Sequence, residues 1–221
     1  MFTWLFWLML VVALVDWLGS WRGWQRLRYG TKPGTLILLI AWFTQVGGWR
    51  GPLVWFGLGL CFSLAGDILL HLPGQWFPAG LAAFLCTHIL YVAGFNLSGN
   101  GFSWVAVLPA ALVAVAFLVL VRPLLAGVQA RGENQMRLPV IGYAVFLSLM
   151  WFSAMTTLFR PGWSLPAAVL CSLGGGLFFL SDSLLAINRF VRPLPVNDLS
   201  VMVTYHLGQI LIASGVLLHF A

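Results

Sequence analysis

Residues 164–188 read SLPAAVLCSLGGGLFFLSDSLLAIN. Such a run crosses a bilayer as a helix, for which about 20 predominantly apolar residues suffice. Asp182 is its one charged residue. A carboxyl at membrane depth costs roughly 2.5–3.5 kcal/mol on insertion scales, so it marks a functional position. The same local pattern, Asp-x-Leu-Leu, recurs in Gly66-Asp67-Ile68-Leu69-Leu70, inside a second apolar run. Of five acidic residues in the chain, these two carry the functional reading.

Working outward, the composition agrees. The chain of 221 residues is 61% hydrophobic and 7% charged, with 12 Trp and 17 Phe, more apolar surface than a soluble domain can hide. The fold class is therefore all-α, a polytopic membrane helix bundle. Eight transmembrane helices are expected, at approximately 2–19, 33–48, 52–71, 76–97, 102–121, 138–159, 164–188 and 198–220. Turns are expected at Gly47–Pro52, Pro73-Gly74, Ser98–Gly101 and Arg160–Gly162. The longest polar loop, Arg122 to Arg137, is too short for a second domain, so residues 1–221 form a single integral membrane domain. The N-terminus lacks a basic n-region and a small-residue cleavage site, and reads as a membrane helix that is kept.

The net charge of +6 lies in short connections beside apolar runs, where it sets orientation and meets anionic lipid; nucleic acid is excluded as a partner. The first, third, fifth and seventh connections hold Arg22, Arg26, Arg28, Lys32, Arg122, Arg131, Arg137, Arg189 and Arg192, whereas the even ones hold only Arg50 and Arg160. The positive-inside rule places the odd connections in the cytoplasm and both termini outside. In a bacterium that means a multi-pass protein of the inner membrane. Trp17, Trp21, Trp24, Trp49, Trp55 and Trp163 fit an interfacial belt. Cys61, Cys86 and Cys171 fall within apolar spans, with neither disulfide nor metal spacing.

A polar constellation accompanies the acids. Ser63, Asp67 and His71 share one helix face at intervals of four, and His88 and Tyr91 share another. Tyr205 and Gln209 are four apart with His206 adjacent, Ser181 and Ser183 flank Asp182, and Asn188 and Arg189 close that span. The third and fourth spans (Asp67, then His88 and Tyr91) and the seventh and eighth (Asp182, then Tyr205 and His206) look like two related units, as in a bundle of two four-helix repeats. Convergent, these faces would enclose a chamber for water or a lipid headgroup. Taken singly, Ser63 and Gln209 also suit plain interhelical hydrogen bonding, and the Gly174–Gly176 run suits close helix packing. No Lys or Arg is expected in mid-span to neutralise either acid. Two other activities fit the same residue types. One is a zinc-dependent lipid hydrolase using His88, His206, Asp67 and Asp182, although no HxxxH or HExxH spacing is present. The other is a proton-coupled transporter of a small molecule or lipid.

The segments Ser63–Leu70, Gly80 to His88 and Tyr91, Gly176–Phe190 and Thr204–Gln209 together resemble the YhhN family, whose eukaryotic relatives are membrane lysoplasmalogenases. The stretch around Asp182 is the most specific, and His206 departs from the family pattern. The resemblance implies hydrolysis of the vinyl ether bond of a lysophospholipid substrate drawn from the membrane. The products would be a fatty aldehyde and glycerophospho-ethanolamine or -choline. It implies Asp67 and Asp182 as the catalytic acid–base pair and no cofactor or metal. Ser63, His88, Tyr91, Ser181, Asn188, Arg189, Tyr205, His206 and Gln209 would surround the substrate, with Arg189 or Arg192 on its phosphate.

Overall fold

A computed structural model describes residues 3–97, 104–194 and 198–221. Eight α-helices make up the bundle: α1 (Trp4–Arg22), α2 (Gln25–Gly47), α3 (Leu53–His71), α4 (Phe77–Asn96), α5 (Val107–Ala130), α6 (Arg137–Thr156), α7 (Leu165–Ala186) and α8 (Leu199–Phe220). Seven are long and apolar enough to span a bilayer; α2, with its polar first half, is the eighth helix. Helices α1 and α2, α3 and α4, and α7 and α8 pair as neighbours, and α8 also touches α1, α2 and α3. α8 is thus the central post, with 72% of its apolar window buried, against 28% for the peripheral α5.

Two boundaries differ from the sequence expectation, and both move charge into helices. The second helix begins at Gln25, not near residue 33. α1 ends at Gly23, whose φ of 72° lets the Trp24 N–H reach back to the Gly19 carbonyl at 2.8 Å, the bonding of a Schellman cap. The chain then re-enters a helix at once, so Arg28 and Lys32, expected in a loop, lie one turn apart on a buried face of α2. α5 likewise runs on through Arg122 and Pro123 to Ala130, because Leu124 and Val128 continue its buried stripe. Little of the expected polar loop is left: a short 3₁₀ turn (Asn134–Met136) leads directly into α6. Turns at Gly47–Pro52, Pro73-Gly74 and Arg160–Gly162 fall where expected, whereas Ser98–Gly101 lies outside the described residues. The expected aromatic belt is only partly at the surface: Trp21 and Trp24 are exposed, but Trp17 turns inward to His206.

Helix α7 carries Asp182 and α8 carries Tyr205, which bonds Asp67, so the spacing of the two helices matters to the site. They approach almost backbone to backbone. A Cβ on Gly174 would sit 2.7 Å from the Ile212 nitrogen, and one on Gly208 would sit 2.9 Å from the Phe178 nitrogen. Small residues permit such contact between membrane helices. Because the obstructing atoms are main chain, Gly208→Val is expected to cost about 1–3 kcal/mol and to lower the melting temperature in detergent. An unchanged melting curve would show that the pair can separate without penalty.

Candidate active site

The C-terminal ends of α3 and α7 and the N-terminal ends of α2 and α8 meet at one end of the bundle around a cavity of ≈ 200 Å³. Asp67 and Asp182 both line it. Asp67 comes from α3 with His71 one turn below, and Asp182 comes from α7 beside Ser181. From α2 the wall receives Gln25, Arg28, Tyr29 and Lys32, and from α8 it receives Asp198, Met202 and Tyr205.

Each acid has its own set of partners. Asp67 is fully buried: its Oδ2 accepts the Tyr205 hydroxyl at 2.9 Å, and its Oδ1 lies 3.0 Å from Lys32 Nζ. The expectation that no cation neutralises either acid is thereby corrected, because the early start of α2 carries Lys32 into the bundle. Asp182 Oδ2 accepts a hydrogen bond from the Tyr143 hydroxyl of α6 and faces His88 Nε2 of α4 at 2.9 Å. The other nitrogen of His88, Nδ1, is buried and meets no partner among the described residues. The network therefore favours the tautomer that donates from Nε2 to the carboxyl. The partners cross between helix pairs: α8 serves the acid of α3, and α4 serves the acid of α7.

Of two further carboxyls, Asp198 lines the cavity and Asp16 lies buried behind Arg28. Arg28 reaches Asp198 at 3.3 Å and Asp16 of α1 at 3.8 Å, and Thr31 donates to Asp16 at 2.8 Å. Asn188 steadies Asp198 from the π-helical turn Ile187–Val191. Two cations thus serve Asp16, Asp67 and Asp198, while Asp182 has none of its own.

Not every residue singled out by sequence reaches the cavity. Ser63, Tyr91 and Gln209 form a sealed network behind it: Tyr91 donates to Gln209 at 2.7 Å, and Gln209 donates to Ser63 at 2.8 Å. Ser63 also bonds Thr87 at 3.0 Å. With exposures of 0–1%, these groups tie α3, α4 and α8 together. His206 is enclosed too and accepts from Trp17 at 3.0 Å. Arg189 turns away to Glu133 at 3.0 Å and packs over Phe77 and Phe190, so the cavity's cations are Arg28 and Lys32. His88 and His206 have separate partners, and among the described residues no group of three His, Cys, Asp or Glu side chains could hold a metal ion.

Sequence reasoning missed Asp16, Arg28, Lys32, Tyr143 and Asp198. Asp16 lay within the first expected span and Tyr143 within the sixth, so a count of every polar side chain at depth would have found both. Arg28 and Lys32 needed only the correct start of α2.

A bundle of eight helices among the described residues, seven of them long and apolar enough to cross a bilayer, is that of a multi-pass membrane protein. The chain belongs to the YhhN family, whose model matches residues 27–216. It is 34% identical to human lysoplasmalogenase TMEM86B over 158 residues, 72% of this chain and 61% of that protein. With human lysoplasmalogenase TMEM86A it shares 31% over 159 residues, 71% and 62% of the two chains. The chain therefore spans about three-fifths of the length of these relatives. It is 30% identical to the membrane protein YhhN of Escherichia coli O157:H7 over 219 residues, 96% of this chain and 99% of that one. No solved structure matches.

Proposed function

We propose that this protein is a membrane hydrolase that cleaves the vinyl ether bond of lysoplasmalogens or a closely related lysophospholipid. The observation that carries the proposal is the pair of acids, from α3 and α7, lining one interfacial cavity with unlike partners. The names of the TMEM86 relatives support the choice of substrate.

Vinyl ether cleavage begins with proton transfer to the β-carbon of the double bond, leaving an oxocarbenium ion centred on the ether carbon. Asp182 is the proton donor. The Tyr143 and His88 hydrogen bonds stabilise the carboxylate that proton transfer leaves. Asp67, paired with Lys32, is the carboxylate. It stabilises the cation and takes a proton from the attacking water. The resulting hemiacetal collapses as its hydroxyl proton passes to Asp182 and the proton on Asp67 passes to the departing glycerol oxygen. Both carboxyls return to their starting states, and the net change is one water added, one aldehyde and one alcohol released. Dividing acid and base roles between two carboxyls in unlike environments follows the logic of glycosidases.

Purified protein incubated with lysoplasmalogen is expected to release fatty aldehyde, measured by mass spectrometry. The saturated alkyl ether analogue, which has no double bond to protonate, should be inert. Absence of aldehyde from folded protein, with substrate uptake into liposomes driven by a pH gradient, would replace the hydrolase with the transporter.

A further inference from the structure

Asp182 lines two spaces. Besides the polar cavity it borders a narrow apolar throat of ≈ 30 Å³, walled by Tyr143 and Ala144 of α6, Leu120 and Leu124 of α5, and Phe77. Asp182 and Leu185 are the residues shared by the two linings. Farther toward the start of α5 and the end of α6 the same two helices bound a wide furrow of ≈ 470 Å³ on the outer surface of the bundle. The furrow is lined by Ala110, Val113, Ala114 and Phe117 of α5 and by Ser148 and Phe152 of α6. The registers adjoin: Val113, Phe117, Leu120 and Leu124 descend one face of α5, and Phe152, Ser148, Ala144 and Val140 descend one face of α6. From Ala110 to Leu124 the path is about 21 Å long at 1.5 Å per residue.

The geometry points to the α5–α6 furrow as the binding site of the substrate's hydrocarbon chain, which enters from the lipid side and passes the throat to reach Asp182. This rests on the hydrolase reading and deepens it. A lysophospholipid changes from polar to apolar at the bond to be cut, and the protein makes the same change at Asp182. The glycerophospho end occupies the charged cavity, and the vinyl carbons sit in the throat against the proton donor. The remaining methylenes run up the furrow toward mid-membrane. That orientation keeps the headgroup at the interface, as in the bilayer, so the substrate need not turn over to react. Peripheral α5 leaves the furrow accessible from lipid without opening the bundle.

Two experiments test this, and they separate its failure from failure of the hydrolase reading. In the first, a saturated alkyl ether lysophosphatidylethanolamine with a diazirine at the chain end is photolysed with the wild-type protein. Labels are expected on Ala110, Val113, Ala114, Phe117, Leu149 and Phe152, suppressed by excess unlabelled lysolipid. Labels spread evenly over α5, with the outward-facing Val115 and Val119 marked as heavily, would overturn the assignment whether or not the protein turns over. In the second, Ala114→Trp fills the furrow from an exposed position. It is expected to reduce the preference (kcat/KM) for hexadecenyl over hexenyl lysoplasmalogen by at least about ten-fold, while Val115→Trp on the neighbouring face leaves it unchanged. An equal loss on both substrates, or no loss with Ala114→Trp, would overturn the inference. Aldehyde from neither substrate would instead refute the hydrolase reading, and the labelling pattern alone would then decide the chain site.

Discussion

Asp182→Asn is expected to fold normally and to release fatty aldehyde about 10²–10⁴-fold more slowly than the wild type, the range for loss of a general acid. The asparagine oxygen still accepts the Tyr143 and His88 bonds, so the packing of α4, α6 and α7 has no cause to change. What is lost is the acidic proton that a vinyl ether needs on its β-carbon. Asp67→Asn is expected to fall as far for a different reason: protonation still occurs, but no carboxylate meets the cation or activates water. Added formate, small enough for a cavity of ≈ 200 Å³, should therefore restore part of the activity of Asp67→Asn and none of Asp182→Asn. Melting in detergent together with aldehyde release separates chemistry from stability. Full turnover in either purified variant removes that residue from the mechanism. Rescue of Asp182→Asn in place of Asp67→Asn would exchange the two roles.

The division of labour follows from where each helix places its neighbours. The acid of α7 is held by a phenol and an imidazole, groups that stabilise a carboxylate without demanding one. The acid of α3 is held by an ammonium group, which does demand one. Tyr143→Phe should accordingly reduce turnover by about 10-fold, in line with one hydrogen bond of roughly 1.5 kcal/mol to a charged group. It should leave the substrate's KM unaltered, because the hydroxyl meets Asp182 and not the headgroup. A KM effect without a kcat effect would place the Tyr143 hydroxyl on the headgroup instead.

The fold was legible because membrane crossing is a length-and-composition problem, and runs such as 164–188 answer it directly. The acids were legible for the same reason: a carboxyl stands out in hydrocarbon sequence. Their partners were not, because partnership is a matter of depth and rotation between helices far apart in the chain. Tyr143 and His88 reach Asp182 from residues 39 and 94 positions away, a pairing that no spacing encodes. Arg189 shows the converse. Adjacent in sequence to the site, it looked suited to a phosphate, but the π-helical turn after α7 swings it to Glu133 and the Phe77 ring. Ser63, Tyr91 and Gln209 were each picked out by spacing on their own helices, on three separate faces, and only packing could show that they bond one another. The largest omission arose at Lys32-Pro33. Proline marked a helix start, yet α2 begins two turns earlier, and with that boundary misplaced the bundle lost both its buried cations.

Lys32 carries the second large expected effect. In Lys32→Met, Asp67 stays at zero exposure with only the Tyr205 hydroxyl for a partner. Leaving a buried charge unpaired costs about 3–5 kcal/mol, or a fall in melting temperature of roughly 10 °C for a chain of this size. Adding Asp67→Asn in the same chain removes the orphaned charge, so the double variant should recover most of that stability. Activity should behave oppositely. Lys32→Met is expected to lose turnover because the Asp67 carboxylate loses the cation that holds and balances it, the double variant should be no better, and Lys32→Arg, which keeps a cation, should retain a measurable part. That contrast, stability regained while chemistry stays lost, is one that a merely structural ion pair would not produce. If Lys32→Met melts and turns over like the wild type, the ammonium is not what keeps Asp67 ionised. If the double variant recovers activity along with stability, Asp67 is a packing residue, and the base must be sought at Asp16 or Asp198.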